Sequence, residues 1–236
     1  MTSRDGLDDR EWHQVIDTLE KVVHYYDRMN NFATFFQAEK WRRVASEYSG
    51  ADLVVLEVGC GPGAFAKHLK AQRLVCLDPS EKLMSVARDR IGDKAEFVLG
   101  EAENIQFDNE QFDRVFCSFS YRDLKNQPKS LHEFNRVLRK GGKLVILDIA
   151  NHGKGLRSSG MNFHIRFVVP LIAKILIPWK IRRGWDRNHY HDLWETYRNF
   201  KTPEQIATDV RNVGLTNVEI RILSLGGAFL IIAEKS

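Results

Sequence analysis

The sequence predicts an α/β fold, a doubly wound and largely parallel sheet closed by a C-terminal antiparallel hairpin. Three observations carry this. Five short apolar runs, Leu53 to Val58, Leu74 to Leu77, Ala95 to Leu99, Asp113 to Ser118 and Lys143 to Ile149, alternate with helix-like stretches. A glycine-rich turn, Gly59 to Gly63, follows the first run. Two last runs, Val218 to Leu223 and Ala228 to Ala233, flank Leu225-Gly226-Gly227 as a hairpin would. With 236 residues, 43% of them hydrophobic, the chain has ample material for one large domain with an appendage, and disorder is not expected.

Taken in order, Trp12, Val15, Ile16, Leu19, Val22, Val23 and Tyr26 recur every three or four residues and mark one face of a helix. Phe32, Phe35, Phe36, Trp41, Val44, Ala45 and Tyr48 form a second such pattern, so residues 1–50 are expected as a helical cap ahead of a 51–236 domain. Ala64 to Lys70 reads as a helix leaving the glycine turn, its free N-H groups facing a ligand. Ser80 suits a helix N-cap, Gly141-Gly142 a helix stop before the fifth strand, and Thr202-Pro203-Glu204-Gln205 a capping box with proline at the first helical position. Residues 151–200 are then an inserted helical segment before the last helix, covering a substrate.

The chemistry concentrates at the first strand end. Val54-Val55-Leu56-Glu57-Val58 runs into Gly59-Cys60-Gly61-Pro62-Gly63, and Asp78 closes the second strand nineteen residues after Gly59. Glycines leave room for a ligand against backbone, and a delayed carboxylate can accept both hydroxyls of a ribose. A dinucleotide turn is Gly-x-Gly-x-x-Gly, whereas this one is Gly-x-Gly-x-Gly with Glu57 two residues ahead, which favours S-adenosylmethionine over NAD. Glu57, Gly59, Cys60, Gly61, Pro62, Gly63, Asp78 and Pro79 are the candidate contacts. Glu101, in Glu101-Ala102-Glu103-Asn104 after the third strand, either accepts from an adenine amino group or is a solvated loop acid. Ser118-Phe119-Ser120-Tyr121-Arg122-Asp123 ends the fourth strand at the same crevice, where open α/β sheets bind ligands.

Composition narrows the partners. Cys60, Cys76 and Cys117 sit in or beside apolar runs with no Cys-x-x-Cys pair, so neither a disulfide framework nor a zinc site is expected, and a reducing compartment fits. Met1 to Trp12 lacks the apolar core of a signal peptide, and a cytoplasmic location is expected. Net charge is +4, but Lys154, Arg157, Arg166, Lys174, Lys180, Arg182, Arg183 and Arg187 face a single acid, Asp186, in one segment. Within it Phe163 to Trp179 is apolar yet broken by Arg166, Pro170, Lys174 and Pro178, too interrupted to span a bilayer. It suits either peripheral contact with an anionic membrane at its inner face or a covering insertion packed on its own core. Nucleic acid is not expected, since no RNA-binding module accompanies the charge. His189-Tyr190-His191-Asp192 lacks a third ligand for a metal and reads as a loop lining a pocket, with His189, His191 or His164 as a proton acceptor.

Over nearly its whole length the chain resembles the ubiquinone and menaquinone biosynthesis C-methyltransferases. The likeness rests on Tyr26-Asp27-Arg28-Met29-Asn30, the Gly59 turn, Asp78-Pro79-Ser80, Gly100 to Asn104, Ser118 to Leu124, Glu133 to Gly142, Thr202 to Gln205 and Leu225-Gly226-Gly227. It implies the Rossmann-like sheet of class I methyltransferases and transfer of a methyl group from S-adenosylmethionine to a ring carbon of a polyprenylated quinol precursor. By resemblance position 62, Asp78, Glu101, Ala102 and Ser118 contact the methyl donor, Tyr26 helps cover it, and Arg122 lies over the ring. Ring carbon becomes nucleophilic when an ortho or para hydroxyl loses its proton, so Arg122 is expected to stabilise that oxyanion, with Tyr26 and Tyr121 shaping the cavity. The family commonly has threonine at position 62 and asparagine after the arginine. Here these are Pro62 and Asp123, the latter either a catalytic group or a neutralising partner of Arg122. The alternatives are the same fold acting on oxygen, nitrogen or arsenic of another small acceptor, and a non-catalytic S-adenosylmethionine-binding assembly or regulatory protein.

Overall fold

Alternating apolar residues on each strand need cover on both faces of the sheet, and two cores provide it. The computed structural model describes residues 5–182, 194 and 196–236. Seven strands, β1 (Val54–Val58), β2 (Arg73–Asp78), β3 (Glu96–Leu99), β4 (Phe112–Ser118), β5 (Leu138–Ile149), β6 (Leu215–Leu223) and β7 (Ala228–Lys235), lie in the order β3-β2-β1-β4-β5-β7-β6. The first five pair in parallel, and β7 runs antiparallel between β5 and β6. Strand order reverses between β1 and β4, so their carboxyl ends open a crevice there.

One core takes Leu56, Val75, Val115, Ile146 and Ile231 against helices α5 (Gln127–Val137) and α9 (Pro203–Asn212). The opposite core takes Val55, Cys76, Phe116, Val145 and Leu230 against α3 (Gln37–Ser46) and α4 (Glu81–Ile91). Expected caps are present. Ser80 Oγ accepts from the Leu83 N–H, and Thr202 with Gln205 forms the capping box of α9. Helix α1 (Asp9–Val22) adds a capping box of its own, from Asp8 and Glu11. Gly226 and Gly227 leave the space that the His152 and Trp41 rings fill, at 2.7 and 2.8 Å from where a Cβ would stand. Glycine is therefore required after Leu225.

Three expectations change. No helix forms over residues 64–70: turns and a single 3₁₀ turn, Ala66–His68, cross to β2. Gly59, Gly61 and Gly63 all take positive φ, 70°, 52° and 73°, which breaks up the segment, and the few residues left before Arg73 bury Phe65 and Ala66 instead. Gly141-Gly142 does not stop a helix either. α5 ends at Val137, and β5 starts at Leu138 and carries both glycines through an irregularity between its Phe112 and Arg114 pairings. The second cap helix divides into α2 (Tyr26–Ala33) and α3, because Phe35 and Phe36 adopt φ of 49° and 62° between them. Of the cap, α3 belongs to the sheet's second core, through Ala38, Trp41 and Ala45.

After β5 come α6 (Leu156–Phe163), a π-helical turn (His164–Val168), α7 (Val169–Leu176) and α8 (Trp179–Arg182). Ala173 and Ile177 pack against Val22, Tyr25 and Met29, so this segment buttresses α1 and α2. His189 to Asp192, Arg183 and Arg187 lie outside the described residues.

Gly63 serves the fold: a Cβ there would stand 2.7 Å from Ile91 Cδ1 and 3.1 Å from Ala87 Cβ. Gly63→Ala should destabilise the protein by roughly 1–3 kcal/mol through the left-handed backbone, plus this clash. Gly61→Ala, with open space around its Cβ, should cost less. Urea unfolding of the two variants checks the order, and equal losses would remove the packing role of Gly63.

Candidate active site

Three contiguous cavities line the carboxyl ends of the strands. The first is walled by Glu57, Gly59, Cys60, Gly61, Pro62, Asp78, Pro79 and Ser118 from the sheet side and by Trp12, Val15, Ile16 and Leu19 of α1 from above. The second lies between α1, α2 and the end of β4, with Tyr26, Met29, Asn30, Arg42, Phe119, Arg122 and Asp123 on its wall. The third opens beneath α6 and α7 and is mostly apolar, lined by Ala33, Phe35, Met161, Ile165 and Val169. Tyr26, Arg42, Phe119 and Asp123 border both the first and the second, and Met29, Asn30, Arg122 and Ile149 both the second and the third.

In the first cavity Asp78 sits at the end of β2, with Oδ2 accepting from the Gly61 N–H at 2.7 Å and Oδ1 from the Ser80 N–H at 2.9 Å. Each oxygen keeps a lone pair for a hydroxyl donor. Burial raises its pKa to about 6, against the pull of those two N–H groups and with Glu20 of α1 adding to the rise. Burial also pushes the Glu57 carboxyl well above the usual range. Glu57 Oε2, Ser118 Oγ and the Nε of Arg42 are buried on this wall without a hydrogen-bond partner. Orphaned polar atoms, a glycine backbone with free space at Gly61 and a carboxylate at the second strand end fit the polar nucleoside expected there. The approach of the strands is itself glycine-dependent, since a Cβ on Gly59 would meet Ser120 Cβ at 2.5 Å, where Ser120 Oγ donates to the Val58 carbonyl at 3.0 Å.

In the second cavity Arg122 is held from two sides. Asp148, fully buried in β5, accepts from its Nη1 at 2.6 Å and from its backbone N–H at 3.2 Å, and Asp123 Oδ2 stands 3.4 Å from Nη2. Burial works against the charge on Arg122, yet Asp123 and Asp148 raise its pKa above the ordinary arginine value. Burial in turn raises Asp123 to about 6, with Arg122 opposing and Asp148 reinforcing the rise. Tyr26, Met29 and Asn30, spaced three and four residues apart, face the cavity from one side of α2, while Asp27 ties that helix to Arg90 of α4 at 2.8 Å. Phe119, at φ 57°, is a non-glycine residue in the left-handed region whose ring lies 5.3 Å from the Arg42 guanidinium.

Four expected contacts lie elsewhere. Gly63 packs on α4, and Ala102 is buried in the sheet's first core. Glu101 pairs with Lys125 at 2.7 Å, and Lys125 stacks over Trp12 at 3.8 Å, so this acid steadies the cavity's rim. Tyr121 is wholly buried beside Phe200 and does not line the reaction cavity, because its turn directs it into the core. His164, by contrast, does line the third cavity, where its Nε2 meets the Ala33 carbonyl at 2.7 Å. Among the described residues no cluster of three His, Cys, Asp or Glu gathers as for a metal, and all three cysteines are buried free thiols. Sequence reasoning missed Asp148, Arg42 and the α1 wall as site components. The α1 periodicity was the available signal for the last.

The chain matches the ubiE/COQ5 methyltransferase family over residues 7–235. It is 25% identical to the ubiquinone/menaquinone biosynthesis C-methyltransferase UbiE of Campylobacter jejuni, covering 94% of this chain and 97% of that one. It is 28% identical to the demethylmenaquinone methyltransferase of Staphylococcus saprophyticus, covering 94% and 96%. Among solved structures, an S-adenosylmethionine-dependent methyltransferase from Thermotoga maritima superposes with a TM-score of 0.65 at 20% identity, over 96% of this chain and 100% of that one. The cyclase SpnF superposes with a TM-score of 0.70 at 15% identity, over 98% of each. These two establish the fold alone.

Ionised Asp78 is the better acceptor for ribose hydroxyls, so affinity for S-adenosylhomocysteine should rise with pH through about 6. By pH 5 it should be about tenfold weaker than at pH 7.5. Calorimetry should find Asp78→Asn weak and free of this pH dependence; a wild-type affinity that is flat from pH 5 to 7.5 would exclude the contact.

Proposed function

The chain belongs to the ubiE/COQ5 methyltransferase family and is an S-adenosylmethionine-dependent methyltransferase, and from that premise we propose how its cavities divide the reaction. S-adenosylmethionine supplies an already activated methyl group. The first cavity holds it through Asp78, Gly61, Glu57 and Ser118, with Trp12, Val15 and Leu83 as the apolar bed for a base. The second takes the ring of a quinone precursor, the substrate class named for the relatives, and the third takes the start of its polyprenyl tail.

The observation that carries this reading is Arg122, clamped by Asp148 and Asp123 on the wall where donor and acceptor cavities meet. Asp123, ionised above about pH 6, takes the proton of a ring hydroxyl. Arg122 stabilises the oxyanion left behind, whose electrons make the neighbouring ring carbon the nucleophile. Asp148 keeps the guanidinium oriented, so no reorganisation is needed as charge develops. The cap and α6 exclude water, which suits a reaction that hydroxide would otherwise divert.

Peripheral membrane contact is part of the proposal. No helix among the described residues is long and apolar enough to cross a membrane. The face of α6 to α8 turned away from α1 and α2 nevertheless exposes Phe163, Phe167, Leu171, Ile175 and Trp179 beside the exposed cations Arg166, Lys174 and Lys180. This supports residues 151–180 as a covering segment that also rests on an anionic surface, from which the third cavity receives the lipid tail.

Incubation with labelled S-adenosylmethionine and a panel of demethylquinols should give a ring-methylated product by mass. Arg122→Gln should lower kcat by about 10²–10³ with S-adenosylhomocysteine affinity within about twofold of wild type. With S-adenosylmethionine saturating at every pH, so that Asp78 does not contribute, kcat/KM for the quinol should rise through about pH 6, and Asp123→Asn should lose that limb. An unaffected Arg122→Gln turnover would remove the assignment.

Vesicles containing anionic lipid should sediment the protein at low salt, less at high salt, and less with Leu171→Glu and Ile175→Glu combined. Lack of binding at low salt would retire the membrane contact.

A further inference from the structure

Asp148 and Asp123 attend to the two terminal nitrogens of Arg122 and leave its third without a partner. Nε is buried and, among the described residues, donates to nothing. Gln127, the first residue of α5 and only 2% exposed, carries the matching orphan: its Nε2 donates to the Tyr121 carbonyl at 3.3 Å, while its Oε1 is buried and accepts from no described residue. Both side chains line one small crevice, which shares Arg122 with the second and third cavities. The N-terminal segment closes over it through Gly6 and Leu7. Two backbone bonds seat that segment, from the Leu7 N–H to the Leu124 carbonyl at 3.0 Å and from the Gln127 N–H to the Asp5 carbonyl at 2.7 Å, and a Cβ on Gly6 would collide with the Lys125 carbonyl. The crevice is therefore built from fixed parts.

A buried donor and a buried acceptor that border one space without bonding to each other complement a molecule that accepts from the first and donates to the second. The guanidinium disfavours a cation there, and the amide oxygen together with the two carboxylates already beside Arg122 disfavours an anion. A small neutral molecule remains. We infer that the crevice binds a water molecule that accepts from Arg122 Nε and donates to Gln127 Oε1, which makes Gln127 a positioning residue for Arg122. A planar fork tied only at Nη1 can pivot about that one bond, whereas a second tie at Nε fixes its plane and hence the direction in which its remaining N–H groups meet a ring oxygen. The inference rests on the oxyanion role of Arg122 given above and adds a residue that does not itself border the acceptor cavity.

Nuclear magnetic resonance of nitrogen-15-labelled protein reads the site directly. The Arg122 Nε–H signal, identified by its loss in Arg122→Gln, should show an Overhauser contact to bound water, told from hydrogen exchange by its opposite sign in the rotating frame. Gln127→Met, of similar length but without the oxygen, should lose that contact and lower kcat about three- to tenfold, with KM for the quinol and S-adenosylhomocysteine affinity each within about twofold of wild type. Gln127→Glu keeps an oxygen at the same place and should regain the contact and at least about half of the wild-type kcat. Absence of the water contact in the wild-type protein, or a Gln127→Met enzyme as fast as Gln127→Glu, would overturn the inference. Should Gln127→Met fail to fold, the wild-type contact alone decides. Undiminished turnover of Arg122→Gln would instead sink the oxyanion role and leave the water contact standing, a distinct outcome.

Discussion

Asp148 fixes the working end of the sheet. It closes the apolar run Leu144-Val145-Ile146-Leu147 with a fully buried carboxylate that accepts from the Ile149 N–H as well as from both the backbone and the guanidinium of Arg122. One side chain therefore joins the end of β5 to the turn after β4 and sets where Arg122 and Asp123 stand. A buried acid without this set of donors would be costly, and a buried arginine without the acid equally so. Each explains the other, and neither has a separate structural alternative.

This dependence across space separates what could be read in the chain from what could not. Strands were legible because alternate residues must satisfy two cores at once: Leu56 faces one helix layer and Val55 the other, so both positions are apolar. Caps were legible because Ser80 and Thr202 satisfy donors three residues away. The Gly59 turn was legible as a turn because its three glycines take the positive φ that side chains disfavour. Asp148 and Arg42 left no local trace. A single charge within an apolar run or on a mixed helix looks the same whether it is solvated or buried, until its partner arrives from another element. Tyr121 misled for the converse reason, as its neighbours in sequence do line the cavity while the 3₁₀ turn sends its own ring inward. Gly63 carried the motif's spacing and also answers to α4, so a glycine in such a motif can be required by packing.

The rigid and movable parts of the site are divided by element type. The charged groups Glu57, Asp78, Arg122, Asp123 and Asp148 stand at strand ends or the turns that follow them, where sheet hydrogen bonding limits displacement. Apolar walls come from α1, α2 and α6, which meet the sheet through fewer and more local ties. Helix α1 is fastened over the first cavity by the Glu20 bond to Ser80 at 2.6 Å and by Trp12 beneath Lys125. Both ties are single side-chain contacts, the first of them from the buried hydroxyl of Ser80.

Arg42 is the exception, a cation on a helix rather than a strand end, and its place is instructive. Helix α3 is the cap element whose Ala38, Trp41 and Ala45 are built into the sheet's second core, so Arg42 shares the rigidity of the strands. Trp41 adds a hydrogen bond from Nε1 to Ser224 Oγ at 2.8 Å, locking the helix to the hairpin end at Gly226-Gly227. Phe119 meets Trp41 at 6.3 Å and Arg42 at 5.3 Å, while its N–H donates to the Leu147 carbonyl at 2.7 Å, one residue before Asp148. The left-handed backbone at Phe119 thus links the two arginines through one residue: its ring lies against Arg42, and its main chain leads into the turn that presents Arg122. Strain of order 1–3 kcal/mol persists there because both neighbours are fixed by packing that the turn alone could not supply.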